Sequence, residues 1–158
     1  FSNHPLTEKA MNLYASPSNL DIGSMYIEFQ TIDEHKKEIK FSDQFNGKSF
    51  ILLDMWAPWC GPCIRKSRML LENQNDLSLK GLKVFSVIGG ISNEEEYKKA
   101  VEKHKYPWKS YMEIKDENKI WEKYGISNSG GSQYLFDNDG YLLAINPSKE
   151  ELFHLLDK

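Results

Sequence analysis

The densest apolar run in this chain is Ser49–Trp56, SFILLDMW, interrupted by one charge, Asp54. A short, nearly continuous apolar run reads as a strand covered on both faces. Leu82–Ile88, LKVFSVI, reads as a second buried strand, and a helix from near Pro62 to about Asn75 fills the interval. Upstream, Met25–Thr31 alternates loosely and predicts a strand. Asp33–Lys37 is polar and turn-like, Glu38–Phe41 can pair back as a short strand, and Asn46-Gly47 marks a turn. Downstream, Ser92 followed by Glu95 forms a capping box that opens a helix through Glu96–Lys103. Asp116–Tyr124 reads as a shorter helix closed by Gly125. Gln133–Phe136 and Tyr141–Ile145 flank Asp137-Asn138-Asp139-Gly140, a hairpin signal. Ser148 and Glu151 form a second capping box, for a last helix to Leu156. Strands alternating with helices, then a hairpin and a helix, predict an α/β fold with a central mixed sheet flanked by helices.

The first 20 or so residues are polar, with Pro5, Pro17 and several Ser and Asn, and read as a linker or lead-in. Within them Thr7 could cap a short helix to Tyr14. The domain proper is expected over 21–158. No internal repeat is present. The opening residues lack the basic start and apolar run of a signal peptide, so the compartment has to be argued from chemistry.

At 158 residues the chain can bury a core without a disulfide or metal staple. Twenty basic against 23 acidic residues leave a formal charge of -3, which gives no support to nucleic-acid or membrane-surface binding. No apolar stretch is long enough to span a bilayer. Two cysteines are too few for a disulfide-framed secreted domain.

Both cysteines fall in Trp59-Cys60-Gly61-Pro62-Cys63, directly after a buried strand and at the opening of a helix. A helix N-terminus presents unpaired N–H groups and a partial positive charge, which stabilise a thiolate and lower the Cys60 pKa. Pro62 suits the first helical position, having no N–H to lose. Cys63 lies about one turn inward and is expected to be buried as the resolving thiol. Cys60 then attacks a disulfide, and Cys63 displaces the product to leave a Cys60–Cys63 disulfide; the reverse cycle oxidises a dithiol. A purely stabilising role for so short a loop is weak, because closing it removes little chain entropy. A zinc site lacks ligands: no second Cys pair exists, and His4, His35, His104 and His154 have no ligand-like spacing. No cofactor or metal beyond the cysteine pair is expected.

The string Leu52-Leu53-Asp54-Met55-Trp56-Ala57-Pro58-Trp59-Cys60-Gly61-Pro62-Cys63 resembles the thioredoxin superfamily. Gly23, Ile39–Asp43 and Asn46-Gly47-Lys48 resemble the extra N-terminal β-hairpin of its TlpA/ResA-like branch, and Trp121–Gly125 and Leu135–Gly140 also match it. The resemblance covers residue 20 to the end. It implies a thioredoxin-like fold and reduction or exchange of disulfides in other proteins. It also implies a periplasmic or otherwise extracytoplasmic setting in bacteria, free or membrane-anchored, with electrons from a membrane donor. Residue by residue, it implies Cys60 as nucleophile, Cys63 as resolving thiol, and Trp59 as the aromatic beside the attacking sulfur. Gly61 and Pro62 complete the substrate-facing turn. Asp54 takes the place of a buried carboxylate that relays a proton to or from Cys63. The position where thioredoxins place a lysine facing that carboxylate falls near Ser86, which supplies no cation.

Two departures stand out. Where the branch carries a cis-proline beside the cysteines, this chain reads Ser129-Gly130-Gly131-Ser132, with Gly130 and Gly131 at the substrate-binding position. A trans bond and a relaxed loop with altered docking are expected, and a proline restored at 131 should change substrate rate more than it changes the Cys60 pKa. The branch's helix proline is Arg68, within Arg65-Lys66-Ser67-Arg68, which reads as a solvated face or as a positive field that lowers the Cys60 pKa. Beside the leading reading stand a binding or chaperone-like module with weakened turnover and a peroxiredoxin-type peroxidase. Peroxidases carry Thr or Ser three residues before the reactive Cys, where this chain has Ala57. No long exposed apolar stripe is apparent, so a monomer is expected.

Overall fold

The computed structural model describes residues 20–126 and 130–158. Strand β3 (Phe50–Trp56) runs through the centre of the molecule and is buried from Ile51 onward. Its alternation sorts two cores. Ile51, Leu53 and Met55 face an aromatic cluster that includes Phe29, Phe41, Phe85, Trp121 and Tyr124. Leu52 and Trp56 face the other side, Leu52 with Leu70, Leu77, Leu135 and Leu152, and Trp56 with both cysteines, Tyr97 and Met112. Asp54 lies between them on that second side.

The remaining elements are β1 (Gln30–Ile32), β2 (Glu38–Lys40), a 3-10 turn (Phe41–Gln44), α1 (Gly61–Glu72), α2 (Gln74–Leu79), β4 (Leu82–Ile91), α3 (Glu94–His104), β5 (Ser110–Ile114), α4 (Ile120–Lys123), β6 (Ser132–Phe136), β7 (Leu142–Ile145) and α5 (Lys149–Leu156). They build one seven-stranded sheet in the order β2-β1-β5-β4-β3-β6-β7. The β3–β4 and β4–β5 pairs are parallel and the others antiparallel, so the sheet is mixed as the pattern predicts. The extra β1–β2 hairpin is present, closed by Asp33, whose Oδ1 accepts the N–H groups of His35 and Lys37 at 2.8 and 2.9 Å. The helix expected at Thr7–Tyr14 and the linker to about residue 20 lie almost wholly outside the described residues.

Several expectations are corrected. The strand expected at Met25–Thr31 shrinks to Gln30–Ile32 plus one bridge from Met25 to Tyr141. Its place is taken by a side chain: the Tyr124 hydroxyl accepts the Ile27 N–H at 3.2 Å and donates to the Ile27 carbonyl at 2.8 Å. The helix expected to run to Asn75 ends at Glu72 and restarts as α2. Asn73 donates through Nδ2 to the Met69 carbonyl, a side-chain bond that competes with the helical ladder. Strand β4 runs on to Ile91, so the cap of α3 moves from Ser92 to Asn93, whose Oδ1 accepts the Glu96 N–H while Glu96 accepts the Ser92 N–H. The helix expected from Asp116 is only Ile120–Lys123, because Asp116 spends its carboxylate on the Trp121 and Glu122 N–H groups. Strand β5 escaped the pattern altogether: Glu113, buried near its end, breaks the apolar alternation.

Candidate active site

The end of β3 delivers Ala57, Pro58 and Trp59 into a turn closed by the Cys60 N–H on the Ala57 carbonyl at 3.0 Å. Cys60 is the N-cap of α1, and its Sγ accepts the Cys63 N–H at 3.3 Å. Helix α1 therefore starts at Gly61, with Pro62 in its first turn, where no N–H is needed. Cys60 and Cys63 are joined in a disulfide, with Cα atoms 5.3 Å apart, and both residues are buried. The pair lines a cavity of about 320 Å³ with Lys66, Gly130, Gly131 and Gln133.

The glycine loop is not relaxed, contrary to the sequence expectation. Gly130 has φ +143°, and a Cβ there would stand 2.9 Å from Cys60 Sγ. A Cβ on Gly131 would fall inside the Met55 carbonyl oxygen. The Gly131 N–H donates to Cys63 Sγ at 3.1 Å. Among the described residues every peptide bond is trans. A proline at 131 would lose that N–H and meet the β3 backbone, so it would act on the fold as well as on substrate rate.

Trp59 is 55% exposed, and its indole N–H donates to the Gly90 carbonyl at 2.9 Å. It lines two surface depressions of about 660 and 380 Å³, the first reaching Trp121 and Glu113, the second Lys99 and His104. Gly90 (φ +62°) admits the ring, since a Cβ there would lie 2.9 Å from it.

Asp54 is 1% exposed. It sits in register with Ser86 on β4, which offers no cation. Its Oδ2 accepts the Ser67 hydroxyl at 2.7 Å and its Oδ1 the Gln133 side-chain N–H at 3.2 Å. Burial pushes its pKa up to about 6, against those two hydrogen bonds and the charge of Lys66. The cation missing from the strand thus comes from helix α1. The Arg65–Arg68 face is not wholly solvated either: Ser67 is fully buried and Lys66 partly so, while Arg65 and Arg68 are exposed. Among the described residues, no group of three or more His, Cys, Asp or Glu is placed to hold a metal ion.

A family model described as AhpC/TSA family matches residues 22–145. The chain belongs to the AhpC/TSA family. This AhpC/TSA-family chain superposes on the thioredoxin domain of a thiol-disulfide oxidoreductase from Bacteroides vulgatus with a TM-score of 0.74 at 26% identity, over 88% of this chain and 97% of that one. A thiol:disulfide interchange protein from Bacteroides sp. gives 0.73 at 26% identity, over 87% and 89%. A protein described as the thiol:disulfide interchange protein DsbE, from Chlorobium tepidum, gives 0.70 at 22%, over 88% and 96%, a likeness of fold. The fold is thioredoxin-like, and this AhpC/TSA-family member is a thiol–disulfide oxidoreductase with a paired Cys-x-x-Cys.

Of the residues singled out in the sequence, Cys60, Cys63, Pro62, Gly130 and Gly131 share one cavity, Gly61 carries its turn, and Trp59 flanks it outside. Asp54 is not in the cavity wall. Gln133 and Ser67, which reach it, went unnoticed. The signal was there: Gln133 is a polar residue inside a short apolar strand, as Asp54 is, and the two are antiparallel partners.

Proposed function

We propose that this chain is a protein disulfide reductase of the bacterial envelope, with Cys60 as nucleophile and Cys63 as resolving thiol. The observation that carries the reading is Cys60 Sγ at the N-cap of the 12-residue helix α1, accepting the Cys63 N–H. Once the pair is reduced, that position favours a thiolate at residue 60. The thiolate attacks one sulfur of a client disulfide, and the other client sulfur leaves as a thiolate that is protonated by solvent. Cys63 then gives up its proton, attacks Cys60 Sγ and expels the second client sulfur. The client gains two electrons and the cysteine pair loses them. A second dithiol protein, held at the membrane, restores the pair. The envelope setting and that donor rest on the TlpA/ResA-like resemblance, which also reads residues 1–20 as a linker. No helix among the described residues is long and apolar enough to cross a membrane.

An equilibrium redox titration of Cys60–Cys63 against dithiothreitol, read by thiol labelling and mass, tests the direction. A potential near about -270 mV, or lower, is expected of a reductase. A potential near about -120 mV identifies a disulfide donor and overturns the reductase reading.

A further inference from the structure

Gln133 is 2% exposed, and its side-chain oxygen Oε1 has no hydrogen-bond partner among the described residues. An unpaired buried acceptor costs free energy and calls for a partner that another state of the site supplies. The other end of the same amide is engaged: Nε2 donates to Asp54 Oδ1 at 3.2 Å. The Gln133 backbone is fixed on both sides, its N–H donating to Asn146 Oδ1 at 2.9 Å and its carbonyl accepting the Asn146 N–H at 2.7 Å. Gln133 is among the residues that line the cavity holding Cys60 and Cys63, whereas Asp54 is not. Gln133 therefore both bonds the buried carboxylate and belongs to the wall of the cysteine cavity.

Resting on the reading of Cys63 as the resolving thiol, we propose that Gln133 is a positioning residue for its proton transfer. Its Nε2 holds the Asp54 carboxylate in place, and its Oε1 accepts a hydrogen bond from the water that carries the proton away from Cys63. The site suits such a water: the cavity has room, and Lys66, Ser132 and Asn146 bring further polar groups to its wall. In the step itself, the Cys63 S–H bond breaks, its proton passes through the water to Asp54, and the sulfur keeps the electron pair with which it attacks Cys60. The groups acting on Asp54 are Ser67 and Lys66 from α1 and Gln133 from β6, with Ser86 its register partner on β4. Tyr106, before β5, lies within reach of its charge, and Glu151 of α5 acts on Lys66.

The test follows a single turnover of the reduced protein with oxidised glutathione by acid quench and mass, which separates formation of the mixed disulfide from its resolution. In Gln133→Met, resolution at pH 7 is expected to slow about tenfold, the equivalent of one hydrogen bond to a charged group. The pH inflection of that step should move upward, because the carboxylate loses a donor, while formation of the mixed disulfide stays unchanged. Wild-type resolution and inflection in this variant, or equal slowing of both steps, overturns the proposal. Should Gln133→Met fail to fold, the side-chain amide signal of Gln133 in the wild-type protein decides by NMR. It is expected to shift on reduction of the disulfide and to titrate near pH 6; a signal indifferent to both overturns the proposal. If the wild-type protein forms no mixed disulfide at all, the reductase reading fails separately, and the NMR result still judges the coupling of Gln133 to Asp54.

Discussion

The backbone N–H of Gly131 donates to the sulfur of Cys63 at 3.1 Å, across 68 residues of sequence. A proline at that place has no N–H to give. The glycine pair therefore does two things together: it lets main chain approach the disulfide, and it sets a donor beside the inner sulfur.

Gly131→Ala is expected to destabilise the protein by about 2–3 kcal/mol or more, since its Cβ meets the Met55 carbonyl and neither backbone can yield cheaply. Urea unfolding at fixed pH measures it. A change below about 0.5 kcal/mol, the range of an ordinary surface substitution, contradicts the close approach.

Cys60→Ala is expected to abolish disulfide reduction, and Cys63→Ala to accumulate mixed disulfides on Cys60. Insulin reduction and mass analysis of trapped adducts read the two. Normal turnover by Cys60→Ala sinks the assignment of the nucleophile.

The buried Asp54 carboxyl makes stability depend on pH in a definite direction. Its pKa rises from 3.8 in the unfolded chain to about 6 in the folded one. The folded state therefore holds a proton that the unfolded state has lost between these values, and stability falls as pH rises through that window. The full effect is about 3 kcal/mol, and it is absent from Asp54→Asn. Asp33 acts oppositely: its pKa is lowered, first by the Lys37 N–H, so its contribution is lost as pH falls through the acid range. Denaturant midpoints of wild type and Asp54→Asn from pH 4 to 7 should diverge in favour of the variant. Parallel curves would rule out a raised carboxyl.

Tyr124→Phe removes the hydroxyl that pairs with both backbone groups of Ile27 and leaves them unpaired. The expected cost is about 1–3 kcal/mol in urea unfolding. Loss of hydrogen-exchange protection at Ile27 should accompany it, and unchanged protection would show that the hydroxyl does not act as a strand partner.

The cysteine turn, strands β3 and β4, the β6–β7 hairpin and the last helix were legible because each is specified locally, by an apolar run or by capping and turn residues. Ser148, for example, caps α5 by accepting the Glu151 N–H at 3.1 Å. What escaped depends on contacts between distant residues. Nothing near Ile27 announces that Tyr124 will satisfy its backbone. Strand β5 carries Glu113, whose carboxylate accepts the Asn118 and Ile120 N–H groups and so serves the next loop more than its own strand. Gly130 and Gly131 looked like slack because a sequence shows a missing side chain but not the sulfur or carbonyl that fills its place.

The wall that Gly130 and Gly131 build beside the disulfide also bears on selectivity. An extended peptide laid along it meets main chain, with contour and amide polarity but no side chains to read its residues. On the proposed reductase reading, discrimination among client peptides would fall to side chains outside that wall, such as the exposed Trp59, which lines the depression that reaches Trp121 and Glu113. On that reading a change of client preference is to be sought by altering Trp59 and leaving the glycines alone.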